Sequence, residues 1–158
     1  GGREKTKDKE VMKENLKKSL LLIIFLVYLG LLLRITVFRS SFRLGYLLQN
    51  GKINFTFLEE YILLLRQGRW FTFFYLFVGN VIWFVPFGVF CYGIGKKQEI
   101  GRILFWGFLF SLGIESMQFL WGTGVSELDD LVLNTLGVWI GAMGMHFRKI
   151  RKKVEMMT

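Results

Sequence analysis

The sequence predicts an all-α membrane protein: a four-transmembrane-helix bundle with an outer loop containing a short interfacial or re-entrant helix. Three observations predict it. The 158 residues are 53% hydrophobic and 17% aromatic, more apolar surface than one water-soluble domain of this size conceals. The apolar residues form runs near the ~20 residues that a helix needs to cross hydrocarbon. Those runs are continuous and not alternating, which excludes barrel strands, the other spanning element that lipid tolerates.

The elements follow in order. A basic segment, 1–18, carries Arg3, Lys5, Lys7, Lys9, Lys13, Lys17 and Lys18. The first span is Ser19–Val37, with Arg34 near its far end, where a long stem snorkels to the interface. It is too long and too strongly flanked to be a signal h-region. A polar loop follows, and in it Asn50-Gly51 is a turn signal. Ile53–Phe57 alternates briefly. Phe57–Arg66 has helical periodicity, with Phe57, Tyr61, Leu64 and Leu65 on one side. That stretch reads as an interfacial or re-entrant helix on the outer leaflet, or equally as a cap packed on the bundle. The second span is Trp70–Ile94, with Asn80 and Pro86 inside. Pro86 frees the carbonyl near Ile82 and favours a kink there. The third span is Ile103–Trp121, carrying Glu115 and Gln118. The fourth is Leu131–Phe147, carrying Asn134 and His146, and a basic tail, 148–158, closes the chain. One membrane domain covers 1–158, with 19–147 as its membrane region.

The net charge of +9 is concentrated at the two ends and in the Lys96-Lys97…Arg102 connection. Four spans place all three on one side, so the positive-inside bias makes both termini cytoplasmic. The acidic residues then lie at the outer half of spans three and four. The basic ends read as anchors to anionic lipid. Nucleic acid is not a partner, because no recognition motif accompanies the charge. A single cysteine, Cys91, excludes an internal disulfide and a cysteine-based metal site. No cofactor motif is present: Gly93-x-Gly95 reads as a turn leaving span two rather than as a phosphate loop.

Ionisable groups cost about 2.5–3.5 kcal/mol each on membrane-insertion scales, so the polar residues between Glu115 and Asn134 need a reason. Glu115 and Gln118 share a helix face, which Ser111 extends one turn back. Asp130 and Asn134 share another. A short loop makes these helices antiparallel neighbours, so the two faces meet at similar depth, and Asn80 joins them. Plain readings stand beside the functional one. Ser126-x-x-Asp129 is a capping-box pattern that accounts for Asp129 without a ligand. Asn80, Gln118 and Asn134 also serve as interhelical glue. Gly137-x-x-x-Gly141, with Ala142 and Gly144 nearby, is a close-packing face. A nucleophilic triad is not supported, because in this topology His146 lies on the opposite side from the acids. Carboxylates favour hard cations, yet no spacing here is diagnostic of a metal site.

Taken in order, Asn80–Gly88 (NVIWFVPFG), Glu115-x-x-Gln118, Asp129-Asp130 and Asn134-Thr135-x-Gly137-x-x-x-Gly141 resemble the VanZ-like family of small bacterial membrane proteins. The resemblance covers about Asn80 to Gly144 and extends weakly to Arg34-Ile35-Thr36. It implies a link to resistance against teicoplanin, a glycopeptide that acts on wall precursors outside the cell. It points to Asn80, Pro86, Glu115, Gln118, Asp130 and Asn134. Where the family commonly has Asp-Ile-Asp-Asp, this chain has Glu127-Leu128-Asp129-Asp130. The arginine that often precedes that run is replaced by Val125 or its neighbours. An Asn-Leu-x-Pro-Phe stretch appears only as Asn54-Phe55-Thr56-Phe57.

The expected site therefore comprises Glu115, Gln118, Asp129, Asp130, Asn134, Asn80 and Arg34. Glu115 and Asp130 supply charge, the amides orient them, and Arg34 with Arg39 offers positive charge to a phosphate. Expected partners are membrane lipids and a lipid-linked wall precursor or a glycopeptide. A membrane enzyme using paired carboxylates and a scaffold for wall-synthesis enzymes are the alternatives.

Overall fold

In a computed structural model the chain forms five helices and two short strands: α1 Gly2–Thr36, β1 Lys52–Asn54, α2 Glu59–Arg66, α3 Trp70–Ile94, α4 Ile100–Trp121, β2 Val125–Glu127 and α5 Leu128–Glu155. The structure describes residues 2–38, 42, 45, 47, 51–95 and 99–157, with side chains from Lys9 onward. Arg39, Asn50, Lys96 and Lys97, each used in the sequence reading, lie outside the described residues. Among the described residues, three helices are long and apolar enough to cross a membrane: Lys9–Thr36, Trp70–Ile94 and Ile100–Trp121.

Two compact units divide the chain, Gly1–Leu32 and Leu33–Thr158. The first is helix alone. Its basic segment continues the helix of the apolar run without a break, because nothing in it stops a helix. Long Lys and Glu side chains favour the conformation, and Lys18 pairs with Glu14 one turn back at 2.6 Å. From Ser19 to Leu33 the helix carries no charged residue, the pattern of a segment that crosses a membrane.

The second unit is built on α3, α4 and α5. Helix α5 is interlocked with α3 through glycine. A methyl group at Gly137 would lie 2.2 Å from the Val81 carbonyl oxygen, one at Gly141 2.1 Å from that of Val85, and one at Gly88 2.0 Å from that of Val138. The two backbones touch at these points, as the small-residue spacing anticipated. Gly107 brings α4 against the Val138 side chain in the same way. Gly144 faces open space and takes no part.

Helix α4 ends where Gly122 adopts the left-handed conformation (φ 59°), which glycine enters without a Cβ clash. The reversal turns the chain back into β2 and α5. Strand β2 pairs in parallel with β1, matching Lys52 to Val125, Ile53 to Ser126 and Asn54 to Glu127. Such a pair needs a long crossover, here supplied by α2, α3 and α4. Helix α2 lies on α3: Tyr61 and Leu64 are buried, and the Tyr61 ring meets Phe73 and Phe77 edge-on. Of its other apolar residues, Leu65 is half-buried and Ile62 and Leu63 are exposed. The two strands and α2 thus form a cap over one end of the three helices.

Helix α5 begins before the predicted Leu131 and runs past Phe147, taking in both the aspartates and the basic tail. The extension corrects the reading of Ser126-x-x-Asp129 as a capping box. Ser126 is held in the ladder opposite Ile53, the N-cap residue is Glu127, and no side chain caps α5.

Candidate functional site

The polar residues gather where the cap meets the helices. From α4, the Glu115 carboxylate accepts the Glu127 backbone N–H at 3.0 Å, and the Ser126 side chain also hydrogen-bonds it. From α3, the Asn80 amide donates to Asp130 at the head of α5. Asp129 turns the other way. Its two carboxylate oxygens accept the backbone N–H of Leu58 at 2.9 and 3.0 Å, so it caps the cap's helix instead of its own. Leu58 is the N-cap residue of α2 and holds a left-handed conformation (φ 59°), which is uncommon for a residue with a branched side chain.

One turn deeper, Asn134 donates to the Ser111 hydroxyl at 2.9 Å, joining the two helix faces that the spacing placed together. One turn from Glu115 on the other side, the Gln118 amide donates to the Thr36 carbonyl at 3.3 Å. Both side chains are buried, and each keeps a carbonyl oxygen, Asn134 Oδ1 and Gln118 Oε1, with no hydrogen-bond partner among the described residues. A buried acceptor left unpaired costs about 1–3 kcal/mol. Among the described residues, both amides therefore present an acceptor open to a further donor.

Glu127, Tyr61 and Glu60 complete the cluster, and the sequence reading did not single them out as site residues. Burial raises the Glu127 carboxyl above its usual range, and the neighbouring Glu60 adds to the rise, against a hydrogen bond from Asn54 that lowers it. The Tyr61 phenol is held far above its ordinary range by burial and then by the charge of Asp130. The one available signal for Tyr61 was its place on the apolar side of Phe57–Arg66. Glu60, on the polar side of that turn, carried none.

Arg34 is not brought to the acids. It is exposed, and its guanidinium donates to the Phe38 carbonyl one turn on. His146 Nδ1 lies 3.0 Å from the Tyr92 hydroxyl. The 16 positions from Asp130 to His146 on α5 amount to about 24 Å at the helical rise, so imidazole and carboxylates belong to opposite ends. Among the described residues no three His, Cys, Asp or Glu side chains are arranged to hold a metal ion. Each carboxylate points at a different donor.

The family model for VanZ/LLP1 matches residues 25–149, which takes in the end of α1, the cap and all of the polar cluster. The chain belongs to the VanZ/LLP1 family. Together with its long apolar helices, that membership makes it a membrane protein and fits a link to glycopeptide resistance. The residues that carried the resemblance, Asn80, Glu115, Gln118, Asp130 and Asn134, fall in one region of this VanZ/LLP1 fold, on three different helices. No curated protein and no solved structure matches the chain.

Proposed function

We infer that this VanZ/LLP1 protein spans a bacterial cytoplasmic membrane four times, with both termini inside. In this reading it uses the polar cluster at its outer end to bind, mask or alter an envelope component, and so contributes to teicoplanin-type resistance. The observation that carries the reading is the convergence of Asn80, Glu115 and Asp130 from three helices, with two buried acceptors close by that have no partner among the described residues. A set of carboxylates and amide oxygens suits a ligand that brings donors, such as an amine-bearing or hydroxylated headgroup. A lipid-linked wall precursor, a phospholipid and the glycopeptide itself all qualify. Arg34, exposed at the end of α1, is the group to pair with a phosphate.

The fourth span is α5. Its inward face carries Asp129, Asn134, Gly137 and Gly141, which lowers its overall apolarity, while Val132, Leu136, Trp139 and Ile140 point outward and are exposed. A helix packed along two spanning helices runs through the same depth, and protein on its inner face relaxes the demand for apolar residues there.

The test is Glu115→Gln. Glutamine keeps an oxygen to accept the Glu127 N–H but removes the charge. Loss of the glycopeptide phenotype, with normal amounts of protein in the membrane, supports a ligand site. A second reading is favoured by the bonds from Glu115 and Asp129 to backbone N–H groups: the cluster is a clasp that assembles the cap, and the protein is a scaffold. An unchanged phenotype for Glu115→Gln, alongside an unstable Glu115→Ala, selects that reading.

A further inference from the structure

We propose that residues 52–58 form a strap that opens and closes over the Glu115–Asp130 cluster and gates access to it. The proposal rests on the reading of that cluster as a binding site.

The strap differs from everything around it in what holds it. Helix α2, which follows it, is fastened by buried Tyr61 and Leu64 against α3. The helices beneath are locked backbone to backbone by glycine. The strap fully buries no apolar side chain: Ile53, Phe55 and Phe57 are exposed and Leu58 is half-buried. Its anchors are polar and short. They are a three-residue parallel ladder to β2, the Asn54 side chain on Glu127, and the Leu58 N–H on Asp129. A segment with few buried apolar contacts belongs to the low-stability end of a fold and opens locally.

The ends of the strap are fixed. At one end Gly51 lies so close to the Phe119 carbonyl that a methyl there would come within 2.3 Å of it. At the other, α2 remains on α3. The segment between them can therefore part from β2 while α2 stays in place on α3. Leu58 adds a bias toward lifting. Its left-handed backbone is sparsely populated and persists where the surroundings impose it, here through Asp129. Releasing the Asp129 bond relaxes that backbone and uncovers the carboxylates in the same event.

Hydrogen exchange on the full-length protein in lipid nanodiscs tests the motion directly. The amides of Thr56 and Leu58 are expected to exchange at least ~100-fold faster than that of Leu64 in α2, which lies outside the spans too. Asp129→Ala should speed the strap further, and Leu58→Gly, which accepts the left-handed backbone without strain, should slow it. Equal rates in strap and α2 overturn the proposal. A reversible lock tests gating: Lys52→Cys with Val125→Cys, partners in the ladder, in a Cys91→Ser background. The oxidised pair should lose the glycopeptide phenotype and regain it with an impermeant reductant, while each single cysteine retains it. If the oxidised pair keeps the phenotype while Glu115→Gln loses it, the strap is no gate and the site stands. If Glu115→Gln also keeps it, the site reading fails, and the exchange rates alone decide whether the strap moves.

Discussion

At the scale of single residues, the acidic cluster sorts by partner and not by charge. Asp129 serves the cap, Glu115 the start of α5, and Asp130 the amide of α3. Glu127 is placed unfavourably at neutral pH. Its folded-state affinity for a proton is raised by burial and by Glu60. An acid raised in this way favours the folded state in its neutral form. Its contribution to stability is therefore fully present below the usual carboxyl value of 4.5 and is lost as pH rises through the higher folded-state value. Glu127→Gln should remove that slope and raise the unfolding temperature near neutral pH, read as a thermal melt in detergent across about pH 4 to 8. A melt whose pH slope is unchanged by the substitution refutes this account of Glu127.

The Asn134–Ser111 bond is of the modest kind found between membrane helices. Asn134→Ala should cost only about 0.6 kcal/mol from the lost bond, and removing the Oδ1, which has no partner among the described residues, offsets part of that. A loss of several kcal/mol in a reversible unfolding assay would mean that Asn134 holds more than Ser111.

At the scale of elements, the α3–α5 contact is the rigid part of the fold. Gly137→Ala puts a methyl 2.2 Å from a backbone oxygen that no side-chain rotation can clear, so the helices must separate. About 1–3 kcal/mol of destabilisation is expected, the range for overpacking. Gly144→Ala, seven positions on and facing open space, should be neutral or slightly stabilising. Equal effects at the two positions would rule out the glycine interlock. The element scale also explains how α2 was read. The period of Phe57–Arg66 announced a helix with one apolar side. It left open whether that side met lipid or protein, because both solvents accept the same residues. In the fold Tyr61 and Leu64 meet α3, and Ile62 and Leu63 remain outward.

At the scale of the whole molecule, the decisive matter is the path of α5. If it spans, a reporter fused after Thr158 lies in the cytoplasm with the amino terminus, and the basic residues from Arg148 to Lys153 obey the positive-inside rule. If it does not, that tail lies on the cap side. An externally active fusion after Thr158 would remove the fourth span and the proposed orientation together.

The sequence by itself determined the membrane class, the long apolar helices and the family. It also determined which polar residues share a helix face: Ser111, Glu115 and Gln118 on one, Asp130 and Asn134 on another. It marked the glycines that let two backbones touch. All of these are local, written in composition and in a period of 3.6 residues. The tertiary structure alone decided what each polar group holds. Asp129 looked like a cap for its own helix, and it holds Leu58, 71 positions away. Two strands of three residues are too short to show a period, so their parallel pairing was not legible. Nor was the left-handed Leu58, which no local preference favours and a distant carboxylate maintains. The spacing of residues along a helix is set by the chain itself, whereas the partner of a buried charge is whichever donor the packing of other elements delivers.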